Sequence, residues 1–166
     1  HTDWIGTDAN MLLSGISKLP VWVINDADAA SYAEISYGAG KNIPGVVLLI
    51  TIGTGLGSAL FIDGKLVPNT ELGHLLFEGD IAEKYAADSV RRYNSLDWDT
   101  WGNRLNAYLQ HLEKLFYPNL IILGGGVSKK MSKFTHCLTI KTPVVPAQLR
   151  NNAGIIGAAA MAAKNI

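Results

Sequence analysis

The chain has 166 residues, 48% hydrophobic and 17% charged, with 14 Lys and Arg balanced by 14 Asp and Glu. That composition fits one compact domain with a full core, and zero formal net charge excludes a global field that would recruit nucleic acid or an anionic membrane. A single cysteine, Cys137, excludes an internal disulfide framework and a cysteine-rich zinc site built by this chain alone. No apolar run approaches the ~20 residues that span a bilayer. The chain opens on His1-Thr-Asp-Trp4 with neither Met nor a charged-then-apolar leader. A cytoplasmic location, and a piece of a longer protein, are the expectations.

Pro20 leads into a short predicted strand, Val21–Ile24, which yields to Asn25-Asp26. Ala29, Ala30, Ala33 and Glu34 predict a helix from Asp28 to Tyr37, ended by Gly38 and Gly40. Residues 45–52 form an unbroken apolar run, the pattern of a strand buried on both faces. Glycines 53, 55 and 57 interrupt it. A second strand follows over 58–62, then a turn at Asp63-Gly64 and a returning strand over 65–67. The stretch 68–79 has no clean period and predicts an ordered loop with a short strand. Residues 81–92 predict a helix, and a stronger one runs from Asp97 to Phe116. In it Trp101, Leu105, Tyr108, Leu109, Leu112, Leu115 and Phe116 recur every three or four positions as one apolar stripe. Pro118 stops that helix. Leu120–Leu123 is a buried strand ending in Gly124-Gly-Gly126, with a helix expected next. A short strand over 141–145 and a small-residue helix over 155–164 close the chain. The order predicts a mixed α/β layered domain.

Asn25-Asp26 sits where a strand gives way to a helix, the place where open α/β sheets gather ligands. A carboxylate there can take a proton from an attacking hydroxyl, and an amide can both donate to and accept from a sugar hydroxyl. Helix capping by Asn25, Asp26 or Asp28 is the equally available alternative. Gly53-Thr54-Gly55-Leu56-Gly57 joins two strands, so its backbone amides can surround phosphate oxygens, with the Thr54 hydroxyl as a further donor. An ordinary glycine hairpin is the plainer reading. Its spacing is not the dinucleotide fingerprint, and it lacks a P-loop lysine. Glu71 and His74 flank Gly73 in a loop and can grip neighbouring hydroxyls, or remain solvated. Glu83 fits the positive end of the following helix. Gly124-Gly125-Gly126 forms a corner through which an anion can approach a helix start. Lys129, Lys130, Lys133 and Arg150 follow, either as an anion track or as a solvated face. Cys137 reads as a small, partly buried apolar residue, and His111 and His136 have no partner that sequence identifies.

Together these segments resemble the ROK family of bacterial sugar kinases and sugar-responsive repressors, nearest in wording to its polyphosphate/ATP-dependent glucokinase branch. The resemblance is carried by Asn25-Asp-Ala-Asp-Ala-Ala30, residues 51–61, residues 66–74, Leu123-Gly-Gly-Gly-Val-Ser-Lys129 and Leu149-Arg-Asn-Asn-Ala-Gly154, in family order over nearly the whole chain. It implies an actin-like ATPase (ribonuclease H-like) fold, a mixed sheet flanked by helices. Residues 1–40 would be the end of the smaller domain and the start of a crossing helix, and 41–166 the larger domain. An N-terminal Asp-Gly-Gly-Thr-type phosphate loop is expected upstream of His1, so the chain alone is expected to bind glucose weakly and not to turn over.

The resemblance further implies Asp26 as catalytic base toward the glucose 6-hydroxyl. Asn25, Glu71, His74 and Glu83 would be hexose contacts. Gly53, Thr54 and Gly55, with Gly124, Gly125 and Gly126, would lie along the phosphate donor, which would be ATP or polyphosphate with Mg²⁺. A homodimer is implied, without nucleic acid or membrane partners. Many family members bind structural zinc through a cysteine cluster after the Gly-His histidine. No such cluster follows His74, so no structural zinc is expected. Where the polyphosphate branch tends to carry an acidic residue, this chain has Leu75-Leu76. A sugar-sensing transcriptional regulator on the same fold is the alternative, to be favoured by an upstream helix-turn-helix.

Overall fold

The computed structural model describes residues 2–149 and 152–164. Five strands make one mixed sheet: β1 (Val46–Ile52), β2 (Leu56–Ile62), β3 (Lys65–Val67), β6 (Leu120–Gly124) and β7 (Val144–Pro146). Their spatial order is β3-β2-β1-β6-β7. β2 runs antiparallel to β1 and β3, and β6 runs parallel to β1 and β7. Asp63 and Gly64 both take positive φ, the backbone an Asp-Gly two-residue hairpin requires. A separate small hairpin, β4 (Leu76–Phe77) and β5 (Asp80–Ile81), stands where the sequence predicts a loop with one strand.

Among the described residues there are six α-helices: α1 (Ala9–Ser17), α2 (Asp26–Tyr37), α3 (Glu83–Ala86), α4 (Asp88–Tyr93), α5 (Trp98–Phe116) and α6 (Ala153–Lys164). The unbroken apolar run of β1 is explained by its two buried faces. Leu48, Ile50 and Ile52 join the α5 stripe of Trp101, Leu105, Tyr108, Leu109 and Leu112, while Val47 and Leu49 join Ile35 of α2 on the opposite face. Small residues let α2 and α6 lie close together over that second face.

Three local expectations are corrected. Val21–Ile24 is not a strand: Trp22 and Val23 are exposed, no strand pairs with the segment among the described residues, and its Val23 N–H donates to the Asn10 side chain instead. The predicted helix over 81–92 is two short helices, because Ala87 adopts extended backbone between them. The segment after the glycine corner, Gly126–Lys133, is 3₁₀ with a kink at Lys130 rather than α-helical.

Candidate active site

Asn25 caps α2: its Oδ1 accepts the Ala27 N–H at 2.8 Å and the Asp28 N–H at 3.2 Å. Asp26, the first residue of the helix, accepts the same Ala27 N–H on Oδ1 at 2.8 Å. Its other carboxylate oxygen has no protein donor among the described residues. The Asp26 side chain is exposed into a cleft of about 340 Å³ at the carboxyl end of β1. Glu71, His74, Glu83, Gly53, Thr54, Gly55 and Gly125 line the same cleft. Asp26, Gly53, Thr54, Gly55, Glu71, His74, Glu83 and Gly125 are thus brought together from five separated stretches of chain, with Asn25 behind Asp26 as the cap and Gly124 and Gly126 off the cleft wall.

Glu71 and His74 acquire a common face through a feature the sequence does not announce. Leu72–His74 is a 3₁₀ turn with Glu71 as its cap, and the His74 N–H donates to the Glu71 carbonyl at 3.0 Å. At three residues per turn, positions three apart eclipse. The turn leans on the start of β2 at Gly73, where an added Cβ would stand 2.1 Å from the Leu56 carbonyl oxygen.

Three polar residues outside the predicted set hold this geometry. Ser58 is buried on β2; its hydroxyl donates to the Thr70 carbonyl at 2.6 Å and accepts the Leu72 N–H at 2.8 Å, bracketing Glu71. Asp28 is also buried, and its Oδ2 accepts the Asn69 N–H at 3.1 Å. Ser89 of α4 donates to the Thr54 carbonyl at 2.6 Å, and its N–H donates to the Gly53 carbonyl at 3.0 Å. The glycine loop is therefore held by its carbonyls. Its Gly53 N–H goes to the Gly55 carbonyl, while the Thr54 and Gly55 amides meet no protein acceptor among the described residues. Glu83 opens α3, and its carboxylate lies against Gly55. A polar residue inside an apolar strand is the signal that marks Ser58 in the sequence; Ser89 carries none, since it reads as part of a helix.

The glycine corner borders a second, smaller cavity of about 120 Å³, lined by Gly124, Gly125, Gly126, Ser128, Lys129 and Glu34 among others. Gly125 and Thr51 belong to both walls. Gly125 has φ +77°, and an added Cβ would stand 2.3 Å from the Ile52 carbonyl oxygen, so only glycine fits. Of the predicted basic track, Lys129 lines this cavity. Lys130 and Lys133 instead stand over the Trp98 ring, at 5.7 and 5.5 Å from its centroid. Arg150 lies outside the described residues.

A profile of the ROK family matches residues 1–91. The chain belongs to the ROK family. It is 48% identical to the polyphosphate glucokinase of Mycobacterium tuberculosis over 157 residues, which cover 94% of this chain and 59% of that protein. The chain thus spans less than two thirds of the length of the mycobacterial polyphosphate glucokinases it matches. Among solved structures it matches the inorganic polyphosphate/ATP-glucomannokinase of Arthrobacter sp. strain KM, with TM-score 0.93 and 49% identity, over 100% of this chain and 66% of that one. The ROK family glucokinase of Streptomyces griseus, solved with glucose and AMPPNP, matches with TM-score 0.77 and 26% identity, over 93% and 72% of the two chains. The mixed sheet flanked by helices is the actin-like ATPase fold of these ROK sugar kinases.

Proposed function

We propose that this chain supplies the sugar-binding and catalytic portion of a glucokinase-type phosphotransferase, which moves a phosphoryl group from polyphosphate or ATP to the 6-hydroxyl of glucose or a related hexose. The observation that carries the reading is the meeting of Asp26, Glu71, His74 and Glu83 in one cleft beside the bare amides of Thr54 and Gly55. Three carboxylates and an imidazole suit a polyhydroxylated ligand, and unpaired amides suit a phosphate.

In this reading the hexose 6-hydroxyl donates to the free oxygen of Asp26, whose other oxygen is fixed by the Ala27 N–H. As the hydroxyl oxygen attacks the terminal phosphorus, its proton passes to Asp26 and the bridging P–O bond to the donor breaks. Glu71 and His74 hold the sugar hydroxyls, while Asn25 acts from behind by fixing the start of α2 and with it Asp26. The Thr54 and Gly55 amides receive charge on the transferring group. A donor-borne Mg²⁺ fits the oxygen-rich wall, since such an ion is held mainly by phosphates, water and one or two carboxylates. It would neutralise donor charge when bound. Residues 1–40 would close the smaller domain and 41–166 form the larger one, in a cytoplasmic homodimer.

The test is Asp26→Asn in a full-length protein containing this chain. Phosphorylation of glucose should fall by about 10²–10⁴-fold, the usual contribution of a general base, while glucose binding by calorimetry persists. Unchanged turnover would remove Asp26 from the role.

A further inference from the structure

Asp99, His136 and Cys137 bring a carboxylate oxygen, an imidazole nitrogen and a thiol sulfur within 4.8 Å of one another. None of the three lines the cleft. Asp99 stands in the first turn of α5, and the other two end the 3₁₀ turn Thr135–Cys137, which packs on that helix. Gly102, on the helix face one turn beyond Asp99, allows this approach: an added Cβ would stand 2.8 Å from the Cys137 sulfur and 3.2 Å from the Phe134 Cβ. His136 Nε2 and Asp99 Oδ1 are already 2.8 Å apart, and the Cys137 thiol points to the Asp99 backbone carbonyl at 3.8 Å.

We propose that Asp99, His136 and Cys137 form a Zn²⁺ site, with water in the fourth position. The donor set is one soft thiolate, one borderline imidazole and one hard carboxylate, a mixture that suits zinc better than Mg²⁺ or Ca²⁺. Zn–N, Zn–O and Zn–S bonds of ordinary length put tetrahedral ligands roughly 3.3–3.6 Å apart. Reaching that spacing needs the exposed His136 and Asp99 side chains to part slightly and swing toward the sulfur, which rotation at an open surface supplies. Cys137 is buried, whereas Asp99 and His136 are exposed, so the sulfur is fixed and the cation enters from solvent. On binding, the Zn–S bond forms as the thiol proton leaves to water. This site shares no residue with the zinc position that the sequence leaves empty after His74.

The experiment is titration of the reduced, metal-free chain with Co²⁺, then displacement by Zn²⁺ against a chromophoric chelator. Cys137 is the sole cysteine, so any thiolate-to-Co²⁺ charge-transfer band reports on it. We expect that band, with visible bands of a four-coordinate ion, to saturate at one equivalent and to vanish in Cys137→Ser. Asp99→Asn and His136→Ala should each weaken Zn²⁺ binding by about tenfold or more. Both side chains are exposed, so these two variants keep the test open should the cysteine variant fold poorly. No charge-transfer band at one equivalent, or Zn²⁺ binding unaltered in Asp99→Asn and His136→Ala, overturns the proposal and leaves a plain surface ion pair beside a buried thiol. Neither result bears on the glucokinase reading.

Discussion

At position 58 one hydroxyl satisfies two backbone groups, the Thr70 carbonyl and the Leu72 amide. Ser58→Ala leaves both without a partner beneath Glu71, at a cost of about 2 kcal/mol. Urea unfolding should register that loss, and sugar affinity should fall with it in a full-length protein; a sugar affinity unchanged in the variant would show that Glu71 does not depend on this bracket. Tyr108 is the opposite case. Its hydroxyl is buried among the core rings with no partner among the described residues, and burial pushes its ionisation well up. Tyr108→Phe removes an unpaired polar atom while keeping the ring beside Phe77, so stability should rise by about 1 kcal/mol. A lower melting temperature in that variant would refute the assignment.

Among the elements, β1 and the α5 stripe are legible because burial alone dictates their patterns: two covered faces give an unbroken apolar run, and one gives a stripe at helical spacing. Val21–Ile24 is misread for the complementary reason. Apolar composition predicts a strand, but a strand also needs a neighbour's backbone, which no local pattern reports. The break between α3 and α4 is equally non-local. Ala86 and Ala87 are good helix formers, yet their carbonyls accept the Trp101 indole N–H at 3.0 and 3.2 Å. The site residues are readable as types, while their convergence depends on Ser58, Ser89 and a 3₁₀ turn that carry little or no signature.

α5 also anchors the lead into β7. Glu113 accepts the Lys141 N–H, the Thr142 N–H and the Thr142 hydroxyl on one carboxylate oxygen. These bonds, the Thr142 backbone N–H foremost, hold its carboxyl below the usual carboxylate range. A carboxyl that ionises at lower pH when folded binds fewer protons in the native state than in the unfolded one. Its contribution is complete above the unfolded value and is lost as pH falls through the lowered folded one. Glu113→Gln should therefore cost about 1 kcal/mol at neutral pH, with the gap to the parent closing in acid. A gap of constant size across that range would contradict the linkage.

For the molecule as a whole, no helix among the described residues is long and apolar enough to cross a membrane. The apolar surface is instead concentrated near the start of the chain. α1 buries none of its residues, and Trp4, Ile5, Met11, Ile16 and Leu19 are exposed within 16 positions of one another, with Trp22 close behind. Exposed apolar side chains gathered in this number bind hydrophobic dyes and promote association. The chain should enhance ANS fluorescence in its native state, and the double variant Met11→Lys, Ile16→Lys should reduce that enhancement by roughly half. Equal dye binding by the variant would move the patch elsewhere.

The contact of Gly73 with the Leu56 carbonyl has a thermodynamic corollary. Leu56 continues directly from the glycine loop, so the turn carrying Glu71 and His74 rests on the same short stretch of backbone that carries the Thr54 and Gly55 amides. If the proposed glucokinase reading holds, hexose and phosphate donor should change each other's affinity by the same factor, roughly tenfold for a coupling of ordinary size, and equal hexose affinity with and without donor would show that this shared backbone carries no coupling.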